Sequence, residues 1–130
     1  MISGQINILF GWAWMCVGFI SGMTLGMWAE GEKWLGGYAS LTRRYLRLAH
    51  VAFIALSVIN ILYGKELGSV ALPIQIKSIG SSLMIFGAAG VPIACISAAF
   101  FRKARYFLPL PALAVLIGTA ILVIGMILWP

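Results

Sequence analysis

The sequence of 130 residues contains no aspartate, and its only carboxylate side chains are Glu30, Glu32 and Glu66. All three glutamates fall at the ends of apolar segments or between them. Carriers that couple transport to protons or other cations generally need a carboxylate inside the membrane. The missing intramembrane carboxylate therefore argues against a proton-driven or cation-driven carrier.

Charged residues of either sign are scarce. They make up 9% of the chain, whereas hydrophobic residues make up 62% and the mean hydropathy is +1.05. A soluble domain is about 25% charged and about 45–50% apolar. These values exclude a soluble globular domain and a disordered chain. They predict one integral membrane domain over residues 1–130.

Groups that could carry out catalysis are also few. His50 is the only histidine, and no carboxylate lies in the same apolar segment, so no pair of nucleophile and base can be assembled. The chain has no phosphate-binding loop and no sequence motif of a hydrolase or of a metal site. We therefore expect no enzyme activity, no catalytic residues and no metal site built from side chains of this chain alone.

Four apolar segments are long enough to cross a hydrocarbon core, which takes about 20 residues of helix. The expected spans are residues 6–29, 45–63, 79–101 and 107–129. Pro109 and Pro111 fall in the first turns of the fourth span, where proline is tolerated. Pro92 is expected to kink or locally unwind the third span. The predicted fold is all-α, a four-transmembrane-helix bundle with short connecting loops.

Lysine and arginine are distributed unevenly among the connections. The first connection, with the start of the second span, and the third connection carry seven of them, namely Lys33, Arg43, Arg44, Arg47, Arg102, Lys103 and Arg105. The second connection carries only Lys65 and Lys77. Because basic connections stay in the cytoplasm, both termini are predicted to lie outside. This placement also explains the net charge of +6 without nucleic acid, and we expect no nucleic-acid partner.

Small and amide residues within the spans predict close helix packing. Gly18, Gly22 and Gly26 follow one another at intervals of four residues and share one helix face, which allows a second backbone to approach closely. The second helix belongs either to this chain or to a partner subunit. Asn60 is expected to hydrogen-bond across a helix interface.

One polar stripe enters the membrane. Arg43, Arg47 and His50 lie at positions i, i+4 and i+7 and therefore share a helix face. The imidazole is a candidate ligand for a haem or a chlorophyll-type pigment, with the arginines facing propionates or other anions. It is equally a candidate contact for a quinone. The alternative is a histidine that bonds to a neighbouring helix or to a lipid phosphate, and we expect bound lipids in either case.

Three segments resemble parts of uncharacterised bacterial four-span integral membrane proteins. They are W-L-G-G-Y at 34–38, R-R-Y-L-R-L-A-H at 43–50 and R-Y-F-L-P-L-P at 105–111. The resemblance extends over about half of the chain and implies a multi-pass protein of the bacterial inner membrane. It brings no function with it.

The expected function is that of a small accessory or structural subunit of a larger membrane complex of the electron-transfer kind, respiratory or photosynthetic. Its expected partners are the lipid bilayer and other membrane protein subunits. One alternative is an electron-transfer subunit that binds haem or pigment, or contacts a quinone, through His50. A further alternative is a small homo-oligomeric channel or carrier.

The predicted orientation can be tested by labelling single cysteines introduced into an otherwise cysteine-free chain. Cysteines at Gln5 and Ser69 should react with an impermeant thiol reagent added outside intact cells, and a cysteine at Ser40 should not. The basis for this expectation is the excess of basic residues in the first and third connections. The reverse labelling pattern would contradict it.

Overall fold

The computed structural model describes residues 3–128, which form helices and contain no β-strand. The long helices are α1 (Ser3–Trp28), α2 (Leu41–Ser69), α3 (Ile74–Phe100) and α4 (Pro109–Leu128). Each belongs to a stretch long and apolar enough to cross a membrane, which indicates a multi-pass membrane protein. The prediction of an all-α bundle of four such helices is confirmed, and the location of the termini stays a prediction.

Helix boundaries differ from the expected spans most clearly in α2. This helix extends beyond the apolar segment at both ends, so that Arg43 and Lys65 both lie on it. Charged residues can continue a helix outside the hydrocarbon core because their side chains reach the polar interface. The connection to α3 is correspondingly short, at residues 70–73. The predicted end of the fourth span at Trp129 lies outside the described residues.

Pro92 was expected to kink or locally unwind α3, and the unwinding was a wrong expectation, because α3 is helical throughout residues 74–100. Proline lacks the N–H that would bond to the carbonyl four residues earlier, which here is Ala88. The indole Nε1 of Trp14, on α1, donates to this carbonyl oxygen at 3.0 Å. A neighbouring helix thus supplies the hydrogen bond that proline cannot make, as membrane helices require.

Glycines spaced seven residues apart join α1 to α2. A Cβ added to Gly11 would come within 2.7 Å of the Ser57 carbonyl oxygen, and one on Gly4 would collide with the Gly64 carbonyl. Gly18, the next in the series, lies against Phe53, where an added Cβ would come within 3.2 Å of the Phe53 Cβ. These contacts run antiparallel, and a seven-residue repeat is typical of helices that wrap around each other with a left-handed twist.

The hairpin formed by α3 and α4 also has glycines where its two helices approach each other. A Cβ on Gly87 of α3 would lie 2.8 Å from the Pro111 carbonyl oxygen of α4. A Cβ on Gly118 of α4 would lie 3.2 Å from the Gly80 carbonyl oxygen of α3. Helix α1 packs against both α2 and α3, whereas α4 packs mainly against α3. The glycine series therefore determine how closely the helices of each hairpin approach.

A buried polar cluster joins α1, α2 and α3 in the interior. The Asn7 amide nitrogen donates to Asn60 Oδ1 at 2.9 Å, and Ser81 Oγ donates to Asn7 Oδ1. The Asn60 amide nitrogen donates in turn to the Met84 carbonyl oxygen at 3.3 Å. Asn60 therefore bonds across its interfaces with both α1 and α3. Side-chain hydrogen bonds of this kind stabilise membrane bundles by about 0.6–2 kcal/mol each.

The contact of Gly4, Gly11 and Gly18 with α2, here called the glycine seam, predicts different effects of alanine at two positions of α1. Gly11→Ala should lower the free energy of unfolding by about 1–3 kcal/mol, because the new methyl group would meet backbone atoms of α2. Gly26→Ala is the matched control, since nothing lies within 4 Å of a Cβ at that position. Thermal unfolding in detergent measures the difference. Equal unfolding temperatures for the two variants would contradict the close approach of α1 and α2.

Candidate functional site

A cleft of about 220 Å³ lies between the end of α1 and the beginning of α2. Its walls include the three residues predicted to bind a cofactor, Arg43, Arg47 and His50, together with Gly22 and Gly26 of the glycine stripe. The structure thus brings the polar stripe of α2 and part of the glycine stripe of α1 to one place. Trp34, Tyr38, Leu25 and Ala29 complete the lining.

The imidazole of His50 is held by α1 through one ring nitrogen. Nδ1 lies 3.1 Å from the Gly18 carbonyl oxygen and 3.0 Å from Ser21 Oγ. The Ser21 hydroxyl itself donates to the same carbonyl at 2.7 Å. A carbonyl oxygen can only accept, so the tautomer of the neutral ring that bonds to Gly18 is the one protonated on Nδ1. Nε2 then carries a lone pair, and it has no hydrogen-bond partner among residues 3–128.

Gly22 provides the space that the imidazole occupies. A Cβ at Gly22 would lie 2.5 Å from His50 Cε1 and 3.1 Å from Nε2. Gly18 and Gly22 thus face α2 of the same chain. The second helix that the glycine stripe predicts is, at these two positions, a helix of this chain. Gly26 has open space where its Cβ would be and makes no such contact.

The guanidinium group of Arg43 is buried next to the cleft, with only 5% of the residue exposed. One terminal nitrogen donates to the Gly31 carbonyl oxygen, and the group lies 5.1 Å above the Trp34 ring. Arg43 Nε is buried and has no hydrogen-bond partner in the described part of the chain. No carboxylate lines the cleft, so the charge of Arg43 faces no anion there.

Arg47 and the start of α2 add further positive potential. The Arg47 guanidinium stacks 4.4 Å from the centre of the Tyr38 ring and donates to the Tyr38 carbonyl oxygen at 3.3 Å. Ser40 caps α2 by accepting from the Arg43 backbone N–H at 3.2 Å, and the first turn contains no acidic residue. A helix N-terminus carries a partial positive charge that favours anions. The cleft therefore combines two cationic side chains with the positive end of a helix.

The connection between α1 and α2 folds back over the cleft because three successive residues have positive φ. The values are 50° at Leu35, 83° at Gly36 and 89° at Gly37. At Gly37 the accompanying ψ of 172° is a combination that only glycine adopts readily. This reversal places Trp34 and Tyr38 over the two arginines. The pair Gly36-Gly37 is thus part of how the site is built.

A second hollow, of about 540 Å³, lies on the other side of His50. It shares Leu25, Trp34 and His50 with the first cleft, and its remaining lining is mainly apolar, with Phe53 and Ile96 among the contributors. The imidazole therefore stands between a cationic cleft and an apolar hollow. An arrangement of this kind suits a ligand with a charged group and an apolar body.

Comparison with known proteins provides no relative for this chain. No family model, no curated protein and no solved structure matches it.

Several residues of the site were not predicted from the sequence. Trp34 and Tyr38 were not expected to stack on the arginines, and Ser21 was not expected beside the histidine. The sequence does contain a signal for the close contact of α1 with α2 beside His50, because Gly4, Gly11 and Gly18 recur at intervals of seven residues. The aromatic contacts have no comparable signal, since they depend on the path of the connection.

The fold of this connection can be tested at Gly37. Gly37→Ala should destabilise the folded-back segment by about 1–3 kcal/mol, because alanine avoids this backbone conformation. Trypsin should then cleave the purified protein after Lys33 several-fold faster. Gly68→Ala is the control, since Gly68 has no neighbour within 4 Å of an added Cβ and no positive φ. An unchanged cleavage rate in Gly37→Ala would contradict the folded-back connection.

Proposed function

We propose that this protein is a small accessory subunit of a membrane complex, and that its cleft binds the anionic head of an amphiphilic molecule. The observation that carries the proposal is the buried guanidinium of Arg43, which faces no carboxylate in the cleft and has an unpaired Nε. In the proposed orientation the cleft opens at the cytoplasmic face of a bacterial inner membrane.

The charge of Arg43 is buried, and no carboxylate in the cleft compensates it. Removing a guanidinium from water without a counter-ion costs several kcal/mol. The Gly31 carbonyl and the Trp34 ring offset part of this cost, but neither carries a full negative charge. An anionic oxygen in the cleft would provide the counter-charge that this guanidinium lacks. Arg47 and the N-terminus of α2 would add to its binding.

The size of the cleft favours a headgroup over a whole large ligand. Pockets that enclose a drug-sized molecule measure about 300–1,000 Å³, whereas this cleft measures about 220 Å³. Gly26 and Ala29 line it and are exposed, so the cleft opens beside α1. A ligand with its charged head inside could therefore extend its apolar part along α1 into the lipid.

A second candidate function is electron transfer through a tetrapyrrole ligated by His50. The observation that favours it is the hydrogen bond of Nδ1 to a backbone carbonyl, an arrangement typical of histidines that ligate metals through Nε2. The arginines would then face the propionates of a haem or another anionic edge of a pigment. A quinone carbonyl fits less well, because it needs a donor and Nε2 of the neutral ring is an acceptor.

Membership of a larger complex is supported by the sparse covering of α1. Only 11% of its most apolar window is buried within this chain, against 28–39% in the other helices. Little of the described chain lies outside the long helices, so most of its surface is helix that lipid or other membrane subunits could cover. The alternative of a channel gains no support, because the polar groups of Asn7, Asn60 and Ser81 bond to each other in the interior.

The test is native mass spectrometry of the protein purified in mild detergent, together with its visible absorption spectrum. We expect an anionic amphiphile to co-purify, and Arg43→Gln and Arg47→Gln to lower its occupancy about 10-fold or more, because each loses a charge-assisted hydrogen bond. Arg44→Gln is the matched control, since Arg44 is exposed and does not line the cleft.

Three results separate the candidates. Loss of the amphiphile in the Arg43 and Arg47 variants alone supports the proposal. A tetrapyrrole absorption band that disappears in His50→Ala would replace it with the second candidate. Equal occupancy in all three arginine variants would contradict binding in this cleft.

A further inference from the structure

We infer that the amphiphile is a lysophospholipid, whose phosphate binds at Arg43 and Arg47 and whose free glycerol hydroxyl donates a hydrogen bond to His50 Nε2. The inference rests on the proposed function and adds the chemical class of the ligand. Its basis is the order of donors and acceptors along α2.

Two donors and one acceptor follow one another along the cleft. Arg43 and Arg47 line the cleft, and guanidinium groups supply N–H donors that match the oxygens of a phosphate. His50 Nε2 supplies a lone pair in the tautomer that donates from Nδ1 to the Gly18 carbonyl. A ligand that satisfies all three groups needs an anion followed by a hydroxyl.

Position along the helix determines which hydroxyl this can be. His50 lies three residues beyond Arg47, about 4.5 Å farther from the basic end of α2 and nearer the membrane centre. The hydroxyl must therefore lie on the acyl side of the phosphate. The headgroup hydroxyls of diacyl lipids such as phosphatidylglycerol lie on the opposite side. A lysophospholipid has a free hydroxyl on its glycerol backbone, between the phosphate and the acyl chain.

The free hydroxyl also limits the number of acyl chains. Apart from the two arginines and the histidine, the cleft is lined by apolar, small and aromatic residues, among them Leu25, Gly26 and Ala29. The imidazole occupies the space beside Gly22. A second acyl chain would esterify the free hydroxyl of the glycerol. This oxygen could then no longer donate a hydrogen bond to His50 Nε2.

The test uses two ligands that differ by one hydroxyl. Binding of 1-acyl lysophosphatidic acid and of its 2-deoxy analogue to the purified full-length protein is measured by native mass spectrometry titration. The wild type should bind the hydroxylated ligand about 2–10-fold more tightly, which corresponds to one neutral hydrogen bond. His50→Phe should abolish this difference and retain binding of both ligands, because the arginines are unchanged.

Equal affinity of the wild type for both ligands would overturn the role of the hydroxyl. The proposed function would still stand if Arg43→Gln weakened both. Tighter binding of diacyl phosphatidic acid than of the lysolipid would overturn the single-chain ligand.

Soluble glycerol 3-phosphate provides a third arm, since it carries the phosphate and hydroxyl without a chain. Weak competition supports a lipid ligand, and competition as strong as that of the lysolipid would overturn it. The ligand pair tests the wild type directly, so the inference remains testable even if a variant fails to fold.

Discussion

The close approach of α1 and α2 along glycines seven residues apart is the constraint on which the candidate site depends. Gly4, Gly11 and Gly18 allow contact with the backbone or Cβ atoms of α2, and Gly22 continues this surface where the His50 ring lies. The imidazole can then reach the Gly18 carbonyl, which favours the tautomer protonated on Nδ1. The same pairing brings the two arginines of α2 beside the end of α1. A wider separation of the helices would remove both the orientation of the histidine and the cleft.

Polar groups in the interior of the bundle are hydrogen-bonded to a greater extent than those beside the cleft. The carbonyl freed by Pro92 is bonded by Trp14, and the amide of Asn7 is bonded by Asn60 and Ser81. In the described part of the chain, the buried side-chain atoms without a partner are the Tyr63 hydroxyl and Arg43 Nε. Only the second belongs to a charged group, whose burial is far more costly than that of a hydroxyl. An otherwise well-satisfied bundle thus leaves a cation unpaired at the position where an anionic head could bind.

The sequence was sufficient to predict the helical fold, because the length and apolarity of a membrane span are local properties. It also placed Arg43, Arg47 and His50 on one face, since helical spacing alone decides that. Gly26 shows where local spacing is insufficient: it continues the four-residue stripe but leaves the seam, because helices that twist around each other follow a seven-residue repeat. The unbroken helix of α3 at Pro92 and the stacking of Trp34 and Tyr38 depend on other elements of the chain, so neither could be predicted from spacing.

We expect α1 to hold the His50 ring with Nδ1 protonated and Nε2 available as an acceptor. The chain has one histidine, so solid-state NMR of protein labelled with ¹⁵N-histidine in lipid bilayers reports this ring alone. For the neutral imidazole we predict a protonated Nδ1 close to the Gly18 carbonyl carbon and an unprotonated Nε2. A neutral ring with its proton on Nε2 would contradict the account, because Nδ1 could not then donate to α1 and the cleft would lack its acceptor.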